Sequence, residues 1–513
     1  MDPIRGNHGS LTLEEMAASR PRGLRVLRNL LDRLDGEGVR YCHWKSNEHL
    51  FEGMVGMTDL DVLFERRGTP RLDRIFGEAG YKRLQTTPMR WHPGLEDYLG
   101  FDEETGALVH VHAHHQLRMG EKNAKGYWLP WEDLFLATRH IQEPEGMYAS
   151  HPDVEMIIYF LRSALKSRLR DRVMARFGTD YMHGALEREF HWLLQRCDPR
   201  RVRELVNERL GAGAASIATD MMAVAPSLES LVRFRRAANP VLRRCRSHDP
   251  LTARLRRWNR ELFGLRAKMG RRYTHPPRPF DRTLPGGGVL VALIGSDGSG
   301  KSTIHHAMVK WLSWKVDVLP LYHGSGDGPS SLPRWPMKAG LKLMGAGGGS
   351  GDAPRSGRPS PLRRVLRRLR PVWALVLSLE KRRKLFKGWR ARNRGMVVIC
   401  DRYPQNQIPG YNDGPLLGHW TRSPWRLLRT LGRWEGSPYR WAEWLPPDLV
   451  IRLNVSPELA RERKHDMSLE QLERRAGSIR SLEYPEGRVV DVDADAPFDQ
   501  VLLQVKKEIW RVL

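Results

Sequence analysis

Cysteine is scarce: the 513 residues hold four, Cys42, Cys197, Cys245 and Cys400. They lie far apart and form no C-x-x-C pair, which excludes a disulfide framework and a cysteine-built structural zinc site. The chain also lacks any run of about 18 apolar residues, so no membrane-spanning helix is expected. Its first residues are polar and carry no secretory apolar core, and a reducing cytoplasm is the expected compartment. Acids are in short supply, with 59 Asp and Glu against 85 Lys and Arg and a formal net charge of +26. Such an imbalance suits an anionic partner: nucleic acid, an acidic membrane or a phosphorylated small molecule. No nucleic-acid-binding motif accompanies it. A homodimer is compatible with the composition.

What is present is concentrated between Gly288 and Met308, GVLVALIGSDGSGKSTIHHAM. Val289 to Ile294 reads as a buried strand. Gly295, Ser296, Asp297, Gly298, Ser299, Gly300, Lys301 and Ser302 fit G-x-x-x-x-G-K-[ST] at each fixed position, and Thr303 opens a helical pattern. Glycines let backbone N–H groups turn inward onto phosphate oxygens, and the helix N-terminus adds partial positive charge. Lys301 is expected on the β- and γ-phosphates and Ser302 on Mg²⁺. The expected ligands are therefore ATP and Mg²⁺.

The rest of the chain falls into units around this motif. Residues 1–145 read as a compact α/β unit, with a helix over Arg22 to Leu34 and strands over Val39 to Trp44, Asp59 to Phe64 and Ala107 to His114. Residues 146–275 are mostly helical, and residues 276–287 are a Pro/Gly linker. Residues 288–513 form the P-loop unit, carrying a basic insert at 325–361 whose Gly/Ser/Pro composition predicts partial disorder. Arg334 to Arg394 holds 18 Lys/Arg against Asp352 and Glu380. Within it, Leu362 to Phe386 predicts a basic amphipathic helix. That helix fits either a membrane or nucleic-acid contact or, more simply, a kinase helix with its apolar side on the sheet. The fold class expected is α/β: a parallel-sheet P-loop domain, a smaller α/β domain and a helical middle.

A second motif follows the strand Met396 to Cys400, which ends in Asp401, Arg402 and Tyr403. P-loop enzymes use an aspartate there to orient Mg²⁺; a strand-end cap is the plainer alternative. The DRY triplet, with Asp297 inside the P-loop, resembles the thymidylate kinase family of P-loop kinases. Pro447-Asp448-Leu449 through Pro457-Glu458-Leu459-Ala460 to Arg463 resembles that family's strand and helix leading into the lid. Val492-Asp493-Ala494 resembles its loop beside adenine. The resemblance implies phosphoryl transfer with Lys301, Arg402, Arg463 and Asp297 as catalytic residues, although surface ion pairing suits Arg461 and Arg463 equally. Ser456 reads as a side-chain cap for the helix at Pro457. The family's Arg-Glu-Pro-Gly-Gly-type acceptor segment is missing: Tyr322-His323-Gly324-Ser325 stands in its place. The acceptor stays open between a nucleoside monophosphate and another small hydroxyl or phosphate compound.

In the first unit, Trp44-Lys45-Ser46 precedes Asp59-Leu60-Asp61. This resembles nucleotidyltransferases of the polymerase-β superfamily, in which a small-residue turn is followed by D-x-D. On a strand Asp59 and Asp61 share a face, where they are expected to hold a divalent ion and a triphosphate. A solvated strand end is the bland alternative. The superfamily's third strand usually adds a carboxylate; here it brings His110, His112 and His114. A transition-metal site made of these three alone is disfavoured, because ligands on one strand splay too far apart. The function expected for the whole chain is a kinase, the alternative a nucleotide-gated switch or scaffold in a nucleic-acid- or membrane-associated assembly.

Overall fold

A computed structural model describes residues 23–66, 69–120, 125–167, 183–272, 277–324, 361–409, 414–465, 467–484 and 487–513. The glycine-rich part of the insert lies outside the described residues. The chain is α/β and divides into two compact units, Met1–Gly264 and Leu265–Leu513. Among the described residues no helix is long and apolar enough to cross a membrane.

In the first unit, helix α1 (Arg25–Gly36) places Val26, Leu27, Leu30, Leu31 and Leu34 on one buried stripe. Strands follow as β1 (Tyr41–His43), β2 (Leu60–Phe64), β3 (Lys82–Thr86), β4 (Leu95–Phe101), β5 (Leu108–His114), a separate hairpin of β6 (Leu117–Met119) and β7 (Tyr127–Leu129), then β8 (His140–Gln142) and β9 (Met147–Ala149); helix α2 (Thr69–Glu78) precedes β3. The sheet runs β3-β4-β5-β2-β1-β9-β8. β2 and β5 are parallel, and β4 and β5 antiparallel. Alternation sorts the faces. Leu60, Val62, Phe64, Val109, Val111 and Ala113 pack with α1 and α2 in one core. The intervening Asp61, His110, His112 and His114 are left for the other face. There Trp44 and Leu63 join a second core with helix α3 (Pro152–Lys166) and the helices after it, α4 (Ala185–Leu194), α5 (Pro199–Leu210), α6 (Ala212–Val224) and α7 (Leu228–Ala237).

The second unit has a five-stranded parallel sheet. Its strands are β10 (Leu290–Gly295), β11 (Val318–Tyr322), β12 (Val397–Asp401), β13 (Leu449–Asn454) and β14 (Arg488–Asp493), in the order β11-β12-β10-β13-β14. Being covered on both faces, β10 and β12 read as unbroken apolar runs. The first strand lies centrally between β12 and β13, so the order reverses there and a crevice opens at the strands' carboxyl ends. Helix α8 (Lys301–Leu312) leaves β10 through the glycine loop and buries Ile304, His305, Met308 and Leu312. Helix α9 (Pro361–Arg392) carries the basic run; Leu385 and Ala391 enter the core beneath the sheet. α9 is therefore a packing helix over its described side chains. Helices α10 (Arg426–Glu435) and α11 (Ser437–Trp444) precede β13, and α12 (Pro457–Arg463) and α13 (Leu469–Arg480) follow it; α14 (Phe498–Val512) closes the chain. The outer strand β11 carries an exposed Pro320 opposite Ile399.

Candidate active site

The loop after β10 owes its shape to glycines. Gly298 and Gly300 have φ of +84° and +80°. A Cβ on Gly298 would stand 2.8 Å from the Ala460 carbonyl oxygen, and one on Gly295 2.6 Å from Ser299 Oγ. Only a bare backbone fits this close approach between loop and α12. Lys301 is buried, and its Nζ donates to the Ser296 carbonyl within the loop. Burial first, then the neighbouring Arg402, lowers its pKa to about 8. Ser302 Oγ donates to Asp401 Oδ2 at 2.9 Å, across 99 positions of sequence. Asp401 is buried at the end of β12, and its Oδ1 makes no hydrogen bond. A hydroxyl and a carboxylate converging at a phosphate-binding loop are a donor set suited to Mg²⁺.

Asp297 gathers cations. Its carboxylate is 3.4 Å from Arg402 Nη2 and 3.9 Å from Lys464 Nζ, and it pairs closely with Arg475. Burial alone would raise its pKa, but the cations outweigh burial and hold it below the usual carboxylate range. Arg402 has φ +70° with its N–H on the Leu293 carbonyl, a strained backbone for a non-glycine residue. Arg463 Nη1 lies 3.3 Å from the Gly298 carbonyl and 3.4 Å from that of Ala494. The predicted Asp297, Lys301, Ser302, Asp401, Arg402 and Arg463 therefore come together at one crevice. Beside it, a cavity of about 260 Å³ is lined by Gly300, Thr303, Ile304, Arg463, Ala494 and Phe498 among others. It is mostly apolar. One expectation fails: the Ser456 side chain makes no cap bond, and the contact at this position is its backbone N–H donating to Asp495 Oδ1 at 2.9 Å.

Arg475 was not legible in the sequence, since it reaches Asp297 from 178 positions away. Neither was the role of His323. It follows β11, its N–H bonds the Asp401 carbonyl at 3.1 Å, and both ring nitrogens are buried without a hydrogen-bond partner. Burial, reinforced by Lys384 and Lys381, depresses its pKa strongly, so the ring is neutral. Its ring meets Tyr403 edge-on at 5.9 Å.

In the first unit, register places Asp61 opposite His112 on β5, and His112 opposite Asp97 on β4. His110 Nδ1 is 2.9 Å from Asp59 Oδ1, and His114 Nε2 is 3.0 Å from Asp61 Oδ1. Lys45 in the preceding turn pairs with Asp61 Oδ2 at 2.9 Å. A cation thus stands where the nucleotidyltransferase resemblance implies a divalent ion. Burial, opposed by Asp61, takes the His114 pKa down to about 3. β5 brings histidines where the superfamily usually has a carboxylate, and beside them stands the buried Asp97 of β4, whose Oδ1 is 3.2 Å from His110 Nε2 and 3.3 Å from His112 Nε2; LEDYLGF gave no strand reading in the sequence.

Ser46 adopts φ +58° and is held from behind, with Arg162 Nη1 donating to its Oγ at 2.8 Å. Arg162 also pairs with Glu189. Glu155 accepts from the Asn47 backbone N–H at 3.0 Å and from its side chain. Burial, then the nearby Glu189, pushes Glu48 up to about 8 and Glu155 up to about 7.

Fold and site together define a P-loop-type protein. No family model matches the chain. Over 243 residues, 46% of this chain and 90% of the relative, it is 29% identical to "Uncharacterized ATP-binding protein YghR" of Escherichia coli K12. The same values hold for YghR of E. coli O6:H1. "Uncharacterized ATP-binding protein YghS" of E. coli K12 is 28% identical over 220 residues, 42% of this chain and 89% of the relative.

Proposed function

We propose that the second unit is an ATP- and Mg²⁺-dependent phosphotransferase of the thymidylate kinase-like kind. Its acceptor is a nucleoside monophosphate or another small molecule offering a hydroxyl or phosphate. The observation that carries this reading is the Ser302–Asp401 contact of 2.9 Å at the mouth of the glycine loop. The names of the relatives support ATP as the triphosphate. In this reading the adenine lies against Ala494 and Phe498, and the loop N–H groups receive the phosphates. Lys301 turns from the Ser296 carbonyl to the β- and γ-oxygens. Ser302 and Asp401 hold Mg²⁺, which when bound neutralises charge on the triphosphate oxygens. Arg402 and Arg463 supply the remaining positive charge around the transferring group, and Asp297 keeps Arg402 in place. Phosphoryl transfer asks the protein for positioning and electrostatics, and these residues offer both.

The test is an ATP-consumption screen of the full chain across nucleoside monophosphates, sugars and amino sugars, with Lys301→Ala as the control. Acceptor-dependent turnover that disappears in Lys301→Ala is expected. Turnover of equal rate in that variant would exclude this loop as the catalytic site. A second reading, a nucleotide-gated scaffold on an anionic surface, draws on Trp425 and Trp444, 72% and 84% exposed, with exposed arginines Arg426, Arg433 and Arg440 nearby in sequence. Salt-sensitive binding to acidic vesicles without acceptor-dependent turnover would favour it.

A further inference from the structure

We propose that the long helix Pro250–Arg272 pairs with the same helix of a second copy of this chain, parallel and in register, as a short two-stranded coiled coil. The inference is independent of the P-loop and of the function proposed for it.

The spacing of the apolar residues is the first argument. Leu251, Leu255, Trp258, Leu262 and Leu265 recur at alternating steps of four and three. That is the period of about 3.5 residues that defines a coiled-coil seam. Each of these side chains is between 54% and 66% exposed. Single exposed leucines are ordinary, but a continuous stripe of large apolar side chains marks a contact surface.

The second argument is the direction in which the stripe faces. Asp249 Oδ1 caps the start of the helix, accepting from the Leu251 and Thr252 N–H groups at 3.0 Å each. The partly covered residues Thr252, Ala253, Arg257, Arg260, Phe263 and Gly264 lie on the side opposite the stripe. From that side Arg260 donates to the Trp91 carbonyl at 3.1 Å and to His92 Nε2 at 3.3 Å. A guanidinium thus docks the helix on the first unit, and the leucines point away from it. A surface helix whose needs are met within its own chain does the reverse.

The third argument identifies the occupant. A helix that lies on lipid carries a broad apolar face. Here the stripe is a strict seam, with Arg254 and Glu261 along one flank and Asn259 and Arg266 along the other. A seam of that width fits one partner helix. In a parallel pair, each residue of the first flank meets the second flank of the other copy in the next heptad. Arg254 then meets Asn259, and Glu261 meets Arg266. Symmetry makes the Glu261–Arg266 pair twice, and no like charges face each other. Glu261 holds Arg257 of its own helix at 3.0 Å and is exposed, within reach of a second copy. Burying the stripe from both copies removes on the order of 1,000 Å² from water, the size at which specific interfaces begin.

The test is sedimentation equilibrium of the full chain over roughly 0.1–100 μM, the range in which so small an interface dissociates. Wild type should pass from monomer to dimer across it. Leu255→Glu combined with Leu262→Glu replaces side chains that are exposed in a single copy, so the variant should fold, as circular dichroism would verify. Its dimerisation should be weaker by more than about tenfold. Glu261→Arg sets Arg against Arg266 and should weaken the dimer several-fold; adding Arg266→Glu should restore it. Loss of the Arg257 pair alone would not be rescued in this way. Wild type that stays monomeric throughout, a dimer indifferent to either set of variants, or a charge reversal that Arg266→Glu fails to rescue would each overturn the proposal. So would a monomer that binds phosphatidylserine vesicles through these leucines, which would assign the stripe to a lipid surface.

Discussion

Asp401 shows how much chemistry one side chain can carry. It is buried, bonds Ser302 through one oxygen and leaves the other without a hydrogen bond. Asp401→Asn keeps the shape and removes the charge. Turnover at saturating ATP and Mg²⁺ should fall by about 10²–10³, the scale of losing one preorganised electrostatic contact. The melting temperature should hold or rise, since a buried charge is costly to keep. Normal kinetics per folded molecule would reduce Asp401 to a strand cap. Glu155 offers a test of a different kind. Its carboxyl has a folded pKa of about 7 against an ordinary 4.5. The stability it lends in the protonated form is complete below pH 4.5 and is lost as pH rises through 7. Glu155→Gln removes that loss. The variant's advantage in chemical denaturation should therefore grow between pH 4.5 and 7 and then level off, at no more than roughly 3 kcal/mol. An advantage constant with pH would show that Glu155 does not titrate in this window.

At the scale of elements, the loop between β10 and α8 is braced by α12, and Gly298 makes the contact. Gly298→Ala would set a methyl 2.8 Å from the Ala460 carbonyl at a φ of +84°. Loss of roughly 1–3 kcal/mol of stability is expected, together with weaker ATP binding, both measurable by thermal shift with and without nucleotide. Unchanged binding would mean that the loop tolerates separation from α12. This element was also the most legible in the sequence, because strand, glycines, Lys301 and Ser302 are contiguous and each position has a local physical reason. Asp401 was legible for the same cause, as a polar stop to an apolar strand. Arg475 and Asp97 were not. Arg475 is one of many charged residues on an ordinary surface helix, and only the tertiary fold brings it to Asp297. Asp97 sits 1% exposed in a strand, where isolated acids are disfavoured. Around it stand the Thr86 hydroxyl, which donates to its Oδ2, and two imidazoles from β5, a setting that no local pattern reveals. Strands β10 and β12, by contrast, fell within one residue of the apolar runs Val289 to Ile294 and Met396 to Cys400.

At the scale of the whole molecule, the chain carries a net charge of +26, and the function proposed above requires it to bind a polyanion. Long-range attraction of that kind acts on encounter rates and is screened over about 10 Å at 0.1 M salt. Raising ionic strength should slow ATP association about tenfold while leaving dissociation nearly unchanged, as stopped-flow binding would record. An association rate indifferent to salt would show that the charge is spread too far from the crevice to steer. The same scale gives meaning to Pro320. Outer strands of parallel sheets are exposed templates on which a second chain can continue the hydrogen-bond ladder. Proline has no N–H to offer, so the ladder is interrupted in the middle of β11. Extension of this sheet by another copy, the first step toward fibrillar aggregates, is discouraged at its β11 edge by a single ring.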